Sequence, residues 1–235
     1  KDENKDQSYF LYRLNQDQLK HILFPIGEYT KDEVRAMAKK WNLPVYEKKE
    51  SQEICFIQEK DYREFLRKNI SEDYFKPGEI VDSIGNVIGR HQGLINYTIG
   101  QRRGIEQSKA LQIPKSKLQI SNKIQNPDDK LPLYVIGFNK EKNQLIVGED
   151  KNVYQKEMIV GSIHAVQNAD NRIQITENIK VKIRYRHPAV EIKNAHAHTD
   201  GLILVNFKEL QRAVTSGQSA VFYDGDEVLG GGIIQ

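Results

Sequence analysis

The spacing of apolar positions changes three times along the chain. Tyr9, Phe10, Leu11, Leu14, Leu19, Ile22 and Leu23 predict short helices packed on a core, one of them ending before Phe24-Pro25-Ile26-Gly27. Thr30 followed by Glu33 is a capping box, and Val34, Met37, Ala38 and Trp41 then recur at helical spacing. Asn42-Leu43-Pro44 stops that helix, because proline lacks the next N–H and restricts the residue before it. Residues 1–58 therefore read as helical with loops, with no strand series and no phosphate loop. A lone helical unit below roughly 60 residues buries too little surface to be more than marginal. This segment reads as the tail of a larger domain.

Residues 59–130 read as a small mixed module. Asp61 to Asn69 suits a short amphipathic helix carrying Tyr62, Phe65 and Leu66. Pro77 to Asp82 leads into the turn Ile84-Gly85-Asn86-Val87, which predicts a hairpin. From Glu106 to Lys130 the chain is rich in Lys, Ser, Gln and Asn and carries Pro114 and Pro127, the composition of a mobile loop or insertion.

Residues 131–235 read as all-β. Short apolar or alternating runs recur from Leu133 to Ile234, with a turn signal at Asp224-Gly225. Strands at this spacing predict an antiparallel barrel or sandwich. One of them, Ile179 to Tyr185, alternates strictly: Ile179, Val181, Ile183 and Tyr185 on one face, Lys180, Lys182, Arg184 and Arg186 on the other. Four cations about 6.5 Å apart would make a stripe able to follow a phosphate backbone. An ordinary solvated sheet face reads the same way.

Composition narrows the class. The chain has 235 residues and a formal net charge of +3, a mildly basic balance that permits nucleic-acid binding without demanding it. Its single cysteine argues against a secreted disulfide scaffold and suits a reducing cytosol. No apolar run approaches the ~18 residues of a membrane span, and the charged start is no signal peptide, although it also lacks Met. A cytoplasmic, monomeric protein that makes no membrane contact is expected, and one that begins inside a longer chain.

That cysteine, Cys55, lies in Glu50-Ser51-Gln52-Glu53-Ile54-Cys55-Phe56-Ile57. A lone thiol is either a small buried apolar group or a reactive sulfur, and its apolar neighbours suit the first reading as well as the second. His187, His196 and His198 make no metal site by pattern, since adjacent strand residues point to opposite faces and no thiolate or acidic cluster joins them. Arg102 and Arg103, after Gly100 in a turn, remain unassigned.

The octet resembles the Ser-Gln-Glu-Ile-Cys-Phe-Ile segment of bacterial tRNA-specific 2-thiouridylases, which sulfurate the wobble uridine. Lys5 to Leu14, Tyr97-Thr98-Ile99-Gly100-Gln101-Arg102, Ile183-Arg184-Tyr185-Arg186, Arg212 to Gly225 and Leu229 to Ile234 resemble the same family in the same order. The family's amino-terminal nucleotide loop of Ser-Gly-Gly-x-Asp-Ser type is absent here, as are a second catalytic cysteine and its nearby aspartate. The segment after Arg103-Gly104 also lacks the family's usual glycine-rich continuation.

The resemblance implies an α+β multidomain protein. Residues 1–58 would be the helical tail of an α/β ATP-pyrophosphatase (PP-loop) domain, 59–130 a central tRNA-recognition domain and 131–235 a C-terminal antiparallel β-barrel. The implied activity is that of a tRNA-uridine 2-sulfurtransferase: ATP activates the carbon-2 oxygen, and sulfur carried by Cys55 as a persulfide replaces it. A disulfide between Cys55 and the family's second cysteine is implied as well. So are tRNA contacts by Lys5, Asp6, Gln7, Arg184, Tyr185, Arg186 and Gln218, the last beside a tight turn at Gly217. The full-length enzyme would use ATP and Mg2+, at a site absent from this chain. Its partners would be the tRNAs for lysine, glutamate and glutamine, with a sulfur-relay protein or cysteine desulfurase. The chain alone is expected to be inactive, and a non-catalytic RNA-binding module is the rival reading.

Overall fold

The computed structural model describes residues 1–48, 62–105, 132–166, 173, 178–198 and 201–235. They fall into two compact units. One holds the described residues within Lys1–Phe56, Glu157–Lys208 and Ser216–Gln235; the other holds those within Ile57–Lys156 and Glu209–Thr215.

In the first unit the chain opens with short helices, α1 (Ser8–Leu11), α2 (Gln16–Leu19) and α3 (Lys31–Lys40). The capping box read from Thr30 and Glu33 is present. The Thr30 N–H donates to Glu33 Oε2 at 2.6 Å, and the Glu33 N–H donates to Thr30 Oγ1 at 3.3 Å. A second box caps α2, where Asn15 and Gln18 exchange backbone-to-side-chain bonds of 3.0 and 2.9 Å. The expected helical core differs. Among the described residues of that segment only Tyr9 and Tyr12 are buried, whereas Leu23 is 88% exposed and Trp41 64%. The apolar stripe is real, but little within the described residues covers it.

Tyr9 and Tyr12 bury themselves on the barrel instead. The barrel is closed by β5 (Tyr154–Ala165), β6 (Lys180–Lys182), β7 (Val190–Ala197), β8 (Ile203–Arg212), β9 (Ser219–Asp224) and β10 (Glu227–Ile234), in the order β10-β5-β8-β7-β6-β9. Pairings β10–β5, β10–β9, β6–β7, β6–β9 and β7–β8 are antiparallel. The expected hairpin at Asp224-Gly225 joins β9 to β10, with Glu227 opposite Asp224. Successive residues of a strand alternate faces. In β9, however, Ala220, Val221, Phe222 and Tyr223 are all buried, because Val221 and Tyr223 cluster with Tyr9 and Tyr12. A strand covered on both sides reads as a continuous apolar run rather than an alternating one.

The second unit is built on a four-stranded sheet, with α4 (Tyr62–Asn69) as the amphipathic helix that precedes it in sequence. β1 (Gly78–Val81) and β2 (Val87–His91) form the expected antiparallel hairpin. Its turn is tied by Asp82, whose Oδ1 accepts from the Ile84 and Asn86 N–H groups at 3.0 and 2.8 Å. β3 (Tyr134–Asn139) and β4 (Gln144–Gly148) complete the sheet in the order β2-β1-β4-β3, with β4 parallel to β1. The sequence reading starts the barrel series at Leu133, yet these two strands pair with β1. Local alternation carries no information about a partner some 65 residues away, so the non-local parallel pairing was not legible. Ile80, Ile88, Val135, Leu145 and Val147 form its core.

Among the described residues no helix is long and apolar enough to cross a membrane. The insertion expected at 105–130 lies outside the described residues from Glu106 onward, as does Cys55.

Candidate nucleic-acid interface

The site is assembled from two segments that lie far apart in sequence. Asp2 caps the short 3-10 turn Glu3–Lys5, and Asp6 then fixes the entry to α1. Asp6 Oδ1 accepts from the Ser8 N–H at 2.8 Å, and Oδ2 accepts from the Ser8 hydroxyl at 2.7 Å. This arrangement turns one side of α1 onto β9. The Tyr9 hydroxyl donates to the Ser219 carbonyl at 2.9 Å, the Tyr12 hydroxyl lies 3.2 Å from Ser219 Oγ, and Ser8 Oγ lies 3.3 Å from the Tyr223 hydroxyl. The tyrosines dock beside a run of three glycines in β10. A Cβ at Gly231 would stand 2.7 Å from the Tyr12 ring and 2.6 Å from the Ala220 carbonyl oxygen, so only glycine leaves room.

On the barrel side, Ile179, Val181 and Ile183 face inward as the alternation predicts. The expected strand through Tyr185 ends at Lys182, and a turn follows in which the His187 N–H donates to the Arg184 carbonyl at 3.1 Å. The four cations are therefore not one strand face. Lys180 lies opposite Glu191 in the β6–β7 register. Lys182 is half-buried, 3.4 Å from Asp6 Oδ2 and 5.2 Å from the Tyr223 ring centre. Arg186 is exposed and Arg184 is half-buried.

The two segments meet at Gln7 and Tyr185, where Gln7 Nε2 donates to the Tyr185 hydroxyl at 3.0 Å. Phe10 packs on the same tyrosine, with ring centres 4.7 Å apart and planes 41° apart. Tyr9 touches both rings, edge-on to Phe10 at 5.4 Å and tilted to Tyr185 at 6.1 Å. The structure thus brings Asp6 and Gln7 together with Lys182 and Tyr185. Gln218 is exposed at the start of the hairpin that seats the tyrosines: its carbonyl accepts from Ile234 N–H at 2.9 Å, and Gly217 before it turns with φ +85°. Lys5 is exposed beside Asp6.

Electrostatics follow from this packing. Burial alone would raise the Asp6 carboxyl, but hydrogen bonds from Ser8 and the Lys182 ammonium outweigh it and hold Asp6 below its ordinary value. Burial pushes the Tyr9 and Tyr223 hydroxyls up. Both stay protonated donors at neutral pH. Asp6 stays a carboxylate, already engaged by Ser8 and Lys182, so its oxygens are partly committed before any ligand arrives.

Tyr9, Tyr12, Ser8, Ser219 and Tyr223 were not singled out from the sequence as site-forming residues. Their signal was present: two tyrosines at i and i+3, and a glycine triplet in the last strand.

ATP and magnesium, which the resemblance implies, find no match among the described residues. No group of three His, Cys, Asp or Glu side chains there could hold a metal ion. The first turn of α3 carries Asp32 and Glu33, which repel a phosphate. The implied disulfide is corrected: Cys55 is the single cysteine, so no disulfide can form within this chain.

Comparison with known proteins covers almost the whole chain. Residues 1–59 match the family model described as tRNA methyl transferase HUP domain. Residues 63–149 match the tRNA methyl transferase PRC-barrel domain, and 155–234 the aminomethyltransferase beta-barrel domain. A protein named tRNA-specific 2-thiouridylase MnmA 1 from Caldanaerobacter subterraneus subsp. tengcongensis is 46% identical over 235 residues, all of this chain and 58% of that protein. Proteins named tRNA-specific 2-thiouridylase MnmA are 41% identical in Acetivibrio thermocellus and 43% in Halothermothrix orenii, over 99% and 100% of this chain. The chain spans 58% and 59% of those two relatives.

Proposed function

The chain belongs to the tRNA-specific 2-thiouridylase family, and from that membership we propose that it forms the tRNA-holding, sulfur-bearing part of an enzyme that replaces the carbon-2 oxygen of the wobble uridine with sulfur. The observation that carries the proposal is the bond between Gln7 and Tyr185, which joins two family-like segments into one surface. Lys5, Asp6, Gln7, Arg184, Tyr185, Arg186 and Gln218 are its tRNA-contacting residues. Lysine and arginine engage phosphates, which sets position and affinity, while amide and carboxylate groups reach sugars and base edges.

The pre-packed state of the surface defines what each residue does. Asp6 is neutralised locally by Lys182, so it adds little repulsion towards RNA. Gln7 spends one amide hydrogen on Tyr185 and keeps its carbonyl oxygen for a ligand. Arg186, on a turn rather than in a strand, projects a planar fork suited to phosphate.

Cys55 is the sulfur carrier in this reading. A thiolate is a strong nucleophile and accepts sulfur reversibly as a persulfide. Residues 1–58 form the tail of a PP-loop domain whose ATP and Mg2+ site lies in the part of the protein that this chain does not span. The substrates are tRNAs for lysine, glutamate and glutamine, the sulfur comes from a relay protein or cysteine desulfurase, and this chain by itself is inactive.

The test is Cys55→Ser in the longer protein that contains this chain. Loss of thiolated uridine from bulk tRNA, with tRNA binding retained, is the expected result. Undiminished thiolation removes Cys55 from the mechanism. Failure of a cysteine desulfurase to load sulfur on Cys55, read by mass spectrometry, would favour the plain RNA-binding module.

A further inference from the structure

Phe10 is the one residue of α1 that the packing leaves in an unusual state. Its neighbours Tyr9 and Tyr12 are buried on the barrel, yet Phe10 is 59% exposed. It is not a loose side chain. Its ring centre lies 4.7 Å from that of Tyr185 with the planes 41° apart, and Tyr9 meets it edge-on at an interplanar angle of 87°. Tyr185 is fixed in turn by Gln7. The result is an aromatic shelf with an exposed ring, beside Arg184 and Arg186, which flank Tyr185 in the chain.

We propose that the exposed face of Phe10 stacks an unpaired nucleobase of the bound RNA. The proposal rests on the reading of this surface as a tRNA-binding site and names the chemistry of one contact within it. Positive charge around the shelf matches a polyanion, and a flat ring held on two sides loses little entropy when a base lands on it. Every base has a π-face, so the contact tolerates sequence and demands an unstacked nucleotide, as in a loop. Duplex RNA keeps its bases stacked and gains nothing from Phe10.

The experiment compares Phe10→Leu, Phe10→Trp and Arg186→Glu in the full chain, with an unmodified tRNA transcript as the probe. Stacking predicts that Phe10→Leu weakens binding roughly 5- to 150-fold. Phe10→Trp restores it, and the salt dependence of Phe10→Leu matches the parent because no phosphate contact is lost. A hairpin RNA with a fluorescent aminopurine in its loop should be quenched by the parent and by Phe10→Trp but not by Phe10→Leu. Unchanged affinity in Phe10→Leu, with weakened binding in Arg186→Glu, overturns the stacking contact and leaves the RNA surface standing. Weakened binding in Phe10→Leu that Phe10→Trp does not restore assigns Phe10 a structural role and also overturns it. Unchanged affinity in both Phe10→Leu and Arg186→Glu overturns the stacking contact and the surface together.

Discussion

The Gln7 side-chain amide donates to the Tyr185 hydroxyl at 3.0 Å, across 178 positions of sequence. The bond is exposed, so its net worth is small, at most about 1 kcal/mol. Its consequence is geometric: it fixes the ring against which Phe10 leans. Tyr185→Phe should leave thermal stability nearly unchanged and weaken tRNA binding, and Gln7→Ala should cost less binding in the Tyr185→Phe background than in the parent. Fully additive effects on binding in that double-mutant cycle would show that the bond does not couple the two segments.

The seat of the tyrosines gives a second prediction. Gly231→Ala places a methyl group 2.7 Å from the Tyr12 ring and 2.6 Å from the Ala220 carbonyl oxygen. Overpacking of this kind costs about 1–3 kcal/mol. Release of the Tyr9–Tyr12 segment relieves the ring contact, though not the backbone one, so limited proteolysis should cut near residues 5–15 faster in the variant. Equal cleavage rates would mean that the segment is held by other contacts.

His91 supplies a pH dependence. It is fully buried; Nδ1 accepts from the Gly93 N–H at 3.0 Å, which leaves Nε2 to donate to the Asn143 carbonyl at 3.0 Å. Burial lowers its pKa below the ordinary 6.5, against a smaller opposing pull from the Asn143 carbonyl. The unfolded chain takes up the proton as pH falls through about 6.5, while the folded His91 resists it. Stability from this site is therefore present above that pH and is lost as pH falls below it. Denaturant midpoints of the parent and His91→Gln should converge between pH 8 and pH 5. A constant gap across that range contradicts the assignment.

Gly100 tests the part of the Tyr97–Arg102 motif that the tRNA reading does not use. Its φ is +83°, and a Cβ there would lie 2.8 Å from the Ala213 Cβ. Arg212, beside Ala213, pairs with Asp150 at 3.1 Å and lies 5.3 Å from the Tyr134 ring centre. Gly100→Ala should destabilise by more than about 1 kcal/mol, since strain and overpacking act together. A midpoint within error of the parent would show that this contact relaxes freely.

Much of the architecture was legible because it rests on local rules. The Thr30–Glu33 box, the β1–β2 hairpin and the β9–β10 turn each depend on a few adjacent residues, and each is present. What failed depends on distant partners. The alternation from Ile179 to Ile183 placed the inward face correctly. It could not reveal that the strand stops at Lys182, where Asp6 engages the ammonium. Likewise the apolar residues near Tyr9 announced burial but not its location, since the surface that covers them comes from β9, some 210 residues away. The docking of Gln7 on Tyr185 was invisible for the same reason.

Charge reversal at Arg184 and Arg186 probes the RNA surface itself. The dissociation constant of unmodified tRNA should be titrated against salt for the parent and for Arg184→Glu/Arg186→Glu, with circular dichroism confirming that the barrel is intact. Binding should be at least about tenfold weaker at moderate salt, with a log–log salt slope shallower by about two, one for each lost phosphate contact. An unchanged dissociation constant and an unchanged slope would contradict it.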